Sequence, residues 1–219
     1  MNGIKGAKAF ELYLHLLPKS NENSQCMLLA LIAQTEHHQN IDSLFPYLSQ
    51  STNIAYMAAT AIKALDTRGY FDEYYKALTT PNISNQIKQI IIMHTRDLAK
   101  IKPIPAKMID LLESQLHAHN DNMRYLSLIA LADIGHIKSS SVIFKNFYKD
   151  NMSQFYAEMD KALLSLYKDK EVLKKELHNF LDIAKKTLKH KEIFDNPEKI
   201  SKQEGRIEQI LKLISRLYI

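Results

Sequence analysis

Nine histidines and a single cysteine are the side chains of this chain most capable of holding a metal or attacking a substrate. A metal site needs three or four such ligands brought together, and on a helix two histidines share a face when they stand four apart. His37 and His38 are adjacent, while His117 and His119 are two apart, so neither pair has that spacing. Both pairs fall where a helix is expected to end, a place where imidazole suits the negative end of the helix dipole. His94, His136, His178 and His190 are isolated and read as surface or core residues. Cys26 opens the apolar run Cys26-Met27-Leu28-Leu29-Ala30-Leu31, which points to a buried spectator rather than a thiolate nucleophile. As the one cysteine it cannot form an intramolecular disulfide, which fits a reducing compartment.

Phosphate chemistry finds no foothold either. The glycines Gly3, Gly6, Gly69, Gly135 and Gly205 build no glycine-rich loop, and neither a nucleophile elbow nor an HExxH helix occurs. The carboxylate pairs Asp72-Glu73 and Glu171/Glu176 read as solvated helix faces. Catalytic, cofactor and metal residues are therefore expected to be none. Charge gives a milder hint: residues 1–150 carry 15 Lys/Arg against 13 Asp/Glu, and residues 151–219 carry 14 against 11. The stretch 168–191 holds Lys168, Lys170, Lys174, Lys175, Lys185, Lys186, Lys189 and Lys191 beside the apolar stripe Val172, Leu173, Leu177, Phe180, Leu181, Ala184 and Leu188. It reads as an amphipathic helix docked on the rest, with a basic outer face that could meet an anionic partner. Tyr70, Tyr74 and Tyr75 are either interface or outer-helix residues.

The elements that would position these side chains are helices. With 46% hydrophobic residues, only five Gly and six Pro, the composition favours helix over a turn-rich β fold. Apolar spacing of three and four, punctuated by breakers, predicts helices over about 6–17, 22–36, 41–49, 52–66, 70–78, 83–100, 105–118, 121–134, 139–149, 153–167, 169–191 and from 197 onward. Ser20 or Asn21, Pro81 with Asn82, Pro105, Asp121 and Ser153 are the expected starts, and Gly135 an expected stop. The first segment reads as an amphipathic helix and not a signal peptide. Apolar runs are too short to span a bilayer, so a cytoplasmic protein is expected.

One internal match organises the chain. The stretch 53–65, Asn53-Ile54-Ala55-Tyr56-Met57-Ala58-Ala59-Thr60-Ala61-Ile62-Lys63-Ala64-Leu65, lies without a gap over 122–134, Asn122-Met123-Arg124-Tyr125-Leu126-Ser127-Leu128-Ile129-Ala130-Leu131-Ala132-Asp133-Ile134. The offset of 69 is two units of about 34, with weaker copies near 23–30, 85–93 and 154–164. Short connections make successive helices antiparallel neighbours. A helix pair cannot bury its own apolar face, so pairs stack into a continuous core, with Ala59, Ala61, Ala130 and Ala132 allowing close approach.

The segment 121–135 resembles the second helix of a HEAT repeat, with Asp121 and Arg124 where that family places an inter-repeat Asp–Arg ladder. The resemblance implies an all-α solenoid of stacked antiparallel helix pairs, 10–12 helices in all. Residues 1–167 would form the repeats, and 168–219 a basic helix and a terminal helix packed on them, in one continuous domain. It further implies a non-catalytic protein–protein interaction scaffold working through its concave face. Gln25, Lys63, Lys88, Arg124 and Lys161 are the candidate partner contacts on the second helices, with Lys174 and Lys185 on the basic helix. Two other readings stay open. HEAT-like stacks include DNA glycosylases, which would make nucleic acid the partner. The apolar end helices could also join another copy or a larger assembly.

Overall fold

The computed structural model describes residues 6–146, 154–189 and 196–218. Among them the chain is all α-helical. The helices are α1 (Ala7–Leu16), α2 (Glu22–Ala33), α3 (Thr52–Leu65), α4 (Phe71–Thr79), α5 (Asn85–Leu98), α6 (Ala106–Gln115), α7 (Asp121–Ile134), α8 (Ser139–Asn146), α9 (Tyr156–Leu166), α10 (Lys170–Leu188) and α11 (Pro197–Arg216). Two 3-10 segments, Leu17–Lys19 and Ile41–Ser49, join them. The second was expected as a short helix. Pro46 inside it lacks an N–H and crowds the preceding turn, which disfavours a regular α-helix there.

Local chemistry accounts for the ends. Asn21, Ser84 and Asn120 each accept a backbone N–H from three residues on, which satisfies a donor the helix cannot. Ser84 therefore starts α5 in place of Pro81 and Asn82. Asn120 caps α7, leaving Asp121 as its first residue, and Pro105 sits one position before α6. Gly135 stops α7 in the left-handed region at φ 72°, where any other residue pays a steric penalty. The expected start at Ser153 and the tails over 147–149 and 190–191 lie outside the described residues.

Packing sorts the helices into two rows. In the first-helix row, the Ile41–Ser49 segment touches α4, α4 touches α6, and α6 touches α8. In the second-helix row, α2 packs on α3, α3 on α5, α5 on α7 and α7 on α9. Across the rows α1 pairs with α2, Ile41–Ser49 with α3, α4 with α5, α6 with α7, α8 with α9, and α10 with α11. The last pair joins the rest through a parallel stack of Phe144 on Phe180, centroids 4.3 Å apart, and through bonds from α11 to the buried Asp160 of α9.

The 69-residue match carries over to burial. Ile54 and Met123, Ala55 and Arg124, Ala58 and Ser127, Ala59 and Leu128, Ala61 and Ala130, and Ile62 and Leu131 are all buried. Tyr56 and Tyr125 are exposed in both copies. Small residues at 58, 59, 61 and 130 let the second-row helices approach one another, and the apolar core runs along the stack.

Candidate functional site: the open face of the second-helix row

Two arrangements of polar groups stand out, one buried and one open. The buried one joins α3, α4 and α5. Asp66, just past α3, accepts backbone N–H groups from Arg68 (2.7 Å) and Gly69 (2.9 Å), the Tyr74 hydroxyl, and Nε2–H of His94 at 3.3 Å. Burial alone would raise the Asp66 pKa, but the hydrogen bonds from His94, Tyr74, Gly69 and Arg68 outweigh it and hold the carboxyl well below the usual range. The Tyr74 hydroxyl is pushed far up by burial and by the adjoining carboxylate. Gly69, at φ 78°, is required here, since a Cβ would sit 2.6 Å from the Phe71 ring. Tyr74 and His94 border a void of about 10 Å³, room for one water molecule and for no organic substrate. Acid, phenol and imidazole thus act as a clamp between neighbouring helix pairs.

The open arrangement is the outward face of α3, α5, α7 and α9. Each helix there exposes a large apolar side chain: Tyr56 (42%), Met93 (40%), Tyr125 (37%) and Leu164 (38%). Ion pairs cross between neighbours, Lys63 to Asp97 at 3.4 Å and Arg96 to Asp133. Between α7 and α9 the face deepens into a groove of about 360 Å³, with Ile129, Ala132 and Ala162 along it and Glu158 and Lys161 on the α9 side. Gln154 donates to Asp121 near the start of both helices, and Ser165 to the Ala132 carbonyl near their ends, so α7 and α9 run parallel.

The structure separates the residues expected to contact a partner. Lys63 and Lys161 both lie on this open face. Gln25 is half-buried, and its amide donates to the Leu17 carbonyl at 2.9 Å. Lys88 is half-buried in a different groove, beside Asn85, His119 and Asn120, where burial pushes its pKa down. Arg124, expected to face solvent, is 4% exposed. It donates to the Ala118 (2.7 Å) and His119 (3.3 Å) carbonyls and pairs with Asp121, holding its own helix to the preceding loop. The Asp121–Arg124 pair accordingly lies within one helix, and the link to the next unit runs from Asp121 to Gln154. Lys174 is not a free cation of a basic face. It bonds Glu171 at 2.6 Å and stands 4.3 Å over the Tyr218 ring. Lys185 is exposed on α10, outside the row of α3, α5, α7 and α9 that carries Lys63 and Lys161.

Sequence reasoning missed Tyr56, Met93, Tyr125, Arg96, Asp133 and Glu158 as surface groups. The coincidence of Tyr56 with Tyr125 at the same register of both copies was the available signal, because a large side chain with a polar tip suits a position that keeps one end in water.

No protein-family model matches the chain, and no curated protein matches it. Among solved structures, the chain resembles the crystal structure of an engineered protein, a Northeast Structural Genomics Consortium target, with a TM-score of 0.52 and 15% identity. The match covers 93% of this chain and 97% of that one. Likeness at that identity shows the all-α fold and nothing of function. No helix among the described residues is long and apolar enough to cross a membrane.

Proposed function

We propose that the chain is a HEAT-like, non-catalytic scaffold that binds another protein on the open face of its second-helix row. One observation carries this: an exposed large apolar side chain on each of four neighbouring helices of that row, Tyr56 on α3, Met93 on α5, Tyr125 on α7 and Leu164 on α9. Single exposed apolar residues are ordinary, but a row of them rimmed by charges is what partner surfaces are made of. The charges around it are of both signs, with Lys63, Arg96, Lys100 and Lys161 against Asp97, Asp133 and Glu158. A surface for nucleic acid would be one-signed, so a protein partner suits this face better.

The test compares wild type with Tyr56→Ser/Met93→Ser/Tyr125→Ser. All three side chains are exposed, so helicity and melting should hold. Binders panned from a displayed library against wild type should lose the triple variant by tenfold or more, on the order of the cost of removing interface aromatics. Equal binding to both forms rejects the proposal.

A further inference from the structure

We infer that the α7–α9 groove seats two turns of an amphipathic helix from the partner protein, one that carries a basic and an acidic residue a single turn apart. The inference rests on the open-face reading above and adds the form of the ligand.

Glu158 and Lys161 carry it. Among the described residues neither has a hydrogen bond or ion pair, unlike Arg96 and Asp133 at the far end of the same groove. Glu158 is half-buried at the groove wall while Lys161 is exposed, so the two offer one charge of each sign to an occupant. The two stand three residues apart on one helix, about 4.5 Å along its axis at 1.5 Å per residue. A partner helix repeats one face at three or four residues, about 4.5–6 Å, and can oppose both charges at once. An extended strand presents same-face side chains about 6.6 Å apart and meets one charge while missing the other.

Backbone chemistry leads to the same occupant. An extended peptide would need groups in the groove to satisfy its N–H and C=O. Of the polar groups at this groove, Arg96 and Asp133 hold each other and Ser165 donates to the Ala132 carbonyl, and there is no strand edge among the described residues, so Glu158 and Lys161 are the charges offered at its wall. A helix satisfies its own backbone and asks only for an apolar floor, which Ile129, Ala132 and Ala162 supply between the Tyr125 end and the Arg96–Asp133 end. From Tyr125 to Asp133 the groove is about 12 Å long, a little over two helical turns.

The experiment pans a displayed three-helix scaffold, with one helix face randomised, against the full chain and against the charge swap Glu158→Lys/Lys161→Glu. Glu158 stands in the first turn of α9, where a lysine opposes the helix dipole, so circular dichroism and melting of the swapped protein first establish that it is intact. Wild-type binders should carry an apolar anchor with a basic and an acidic residue three or four apart, in one fixed order. The swap should weaken them about tenfold, the worth of two rim or half-buried pairs, and binders with the charges reversed should recover that loss. Binders without the charge pair, or indifferent to the swap yet lost on Tyr56→Ser/Met93→Ser/Tyr125→Ser, overturn this inference and leave the open-face function standing. Binders indifferent to both sets of changes, or no enrichment at all, overturn both.

Discussion

At the scale of single residues, two buried carboxylates behave in opposite ways. Asp66 has its pKa held down by four donors, so its contribution to stability is present above the ordinary carboxylate value and lost as pH falls through the depressed one. Tyr74→Phe removes one donor and leaves its partner buried; it should cost about 1.5–3 kcal/mol and move acid unfolding to higher pH, both read from urea melts between pH 2 and 7. Asp160 has its pKa raised, because burial outweighs the help of Gln209 (2.5 Å) and Arg216 (3.0 Å). Its stabilising contribution is present below the unfolded value and lost as pH rises through the folded one, so at neutral pH the charge is a cost. Asp160→Asn keeps the shape and the acceptor. It should melt higher than wild type at pH 7, with the gain shrinking toward pH 4. A lower melting temperature at pH 7 would show that the Arg216 pairing dominates.

Helix by helix, the register of the repeat was legible and the chemistry of its ends less so. Apolar spacing placed α3 and α7 within a residue, because Ala, Ile and Leu at three and four admit one buried stripe. The ends shifted where a better capping oxygen lay nearby, as with Ser84 and Asn120. The fate of Arg124 was not legible, since Arg at a position that is Ala55 in the other copy suggests solvent until the loop carbonyls of Ala118 and His119 are seen above it. The same comparison exposes a flaw at Ser127, whose hydroxyl is fully buried with no hydrogen-bond partner among the described residues while its counterpart is Ala58. Ser127→Ala should stabilise the protein by about 1 kcal/mol, the cost of one unsatisfied buried group. Arg124→Ala should lose roughly 2–3 kcal/mol by orphaning the loop carbonyls. Chemical denaturation of the two variants side by side reads both signs.

For the whole molecule, what the sequence could not supply is which residues meet across the stack. Arg96 and Asp133 are 37 residues apart, and nothing in either neighbourhood marks them as partners until the pairs are stacked in register. The open face is a property of that stacking, not of any segment. Stability should share this character, because each helix pair touches mainly its neighbours and a defect ought to stay local. Phe144 is 1% exposed and stacks on Phe180, which makes it the apolar joint between the last pair and the rest. Phe144→Ala should cost about 3–5 kcal/mol at that joint. Native-state hydrogen exchange should then speed up in α8 to α11 and leave α2 and α3 close to wild-type protection. Equal loss of protection at both ends would mean that the helices unfold as one closed unit, in which case the pairs are not the elementary pieces of this fold and the open face cannot be treated as a modular surface.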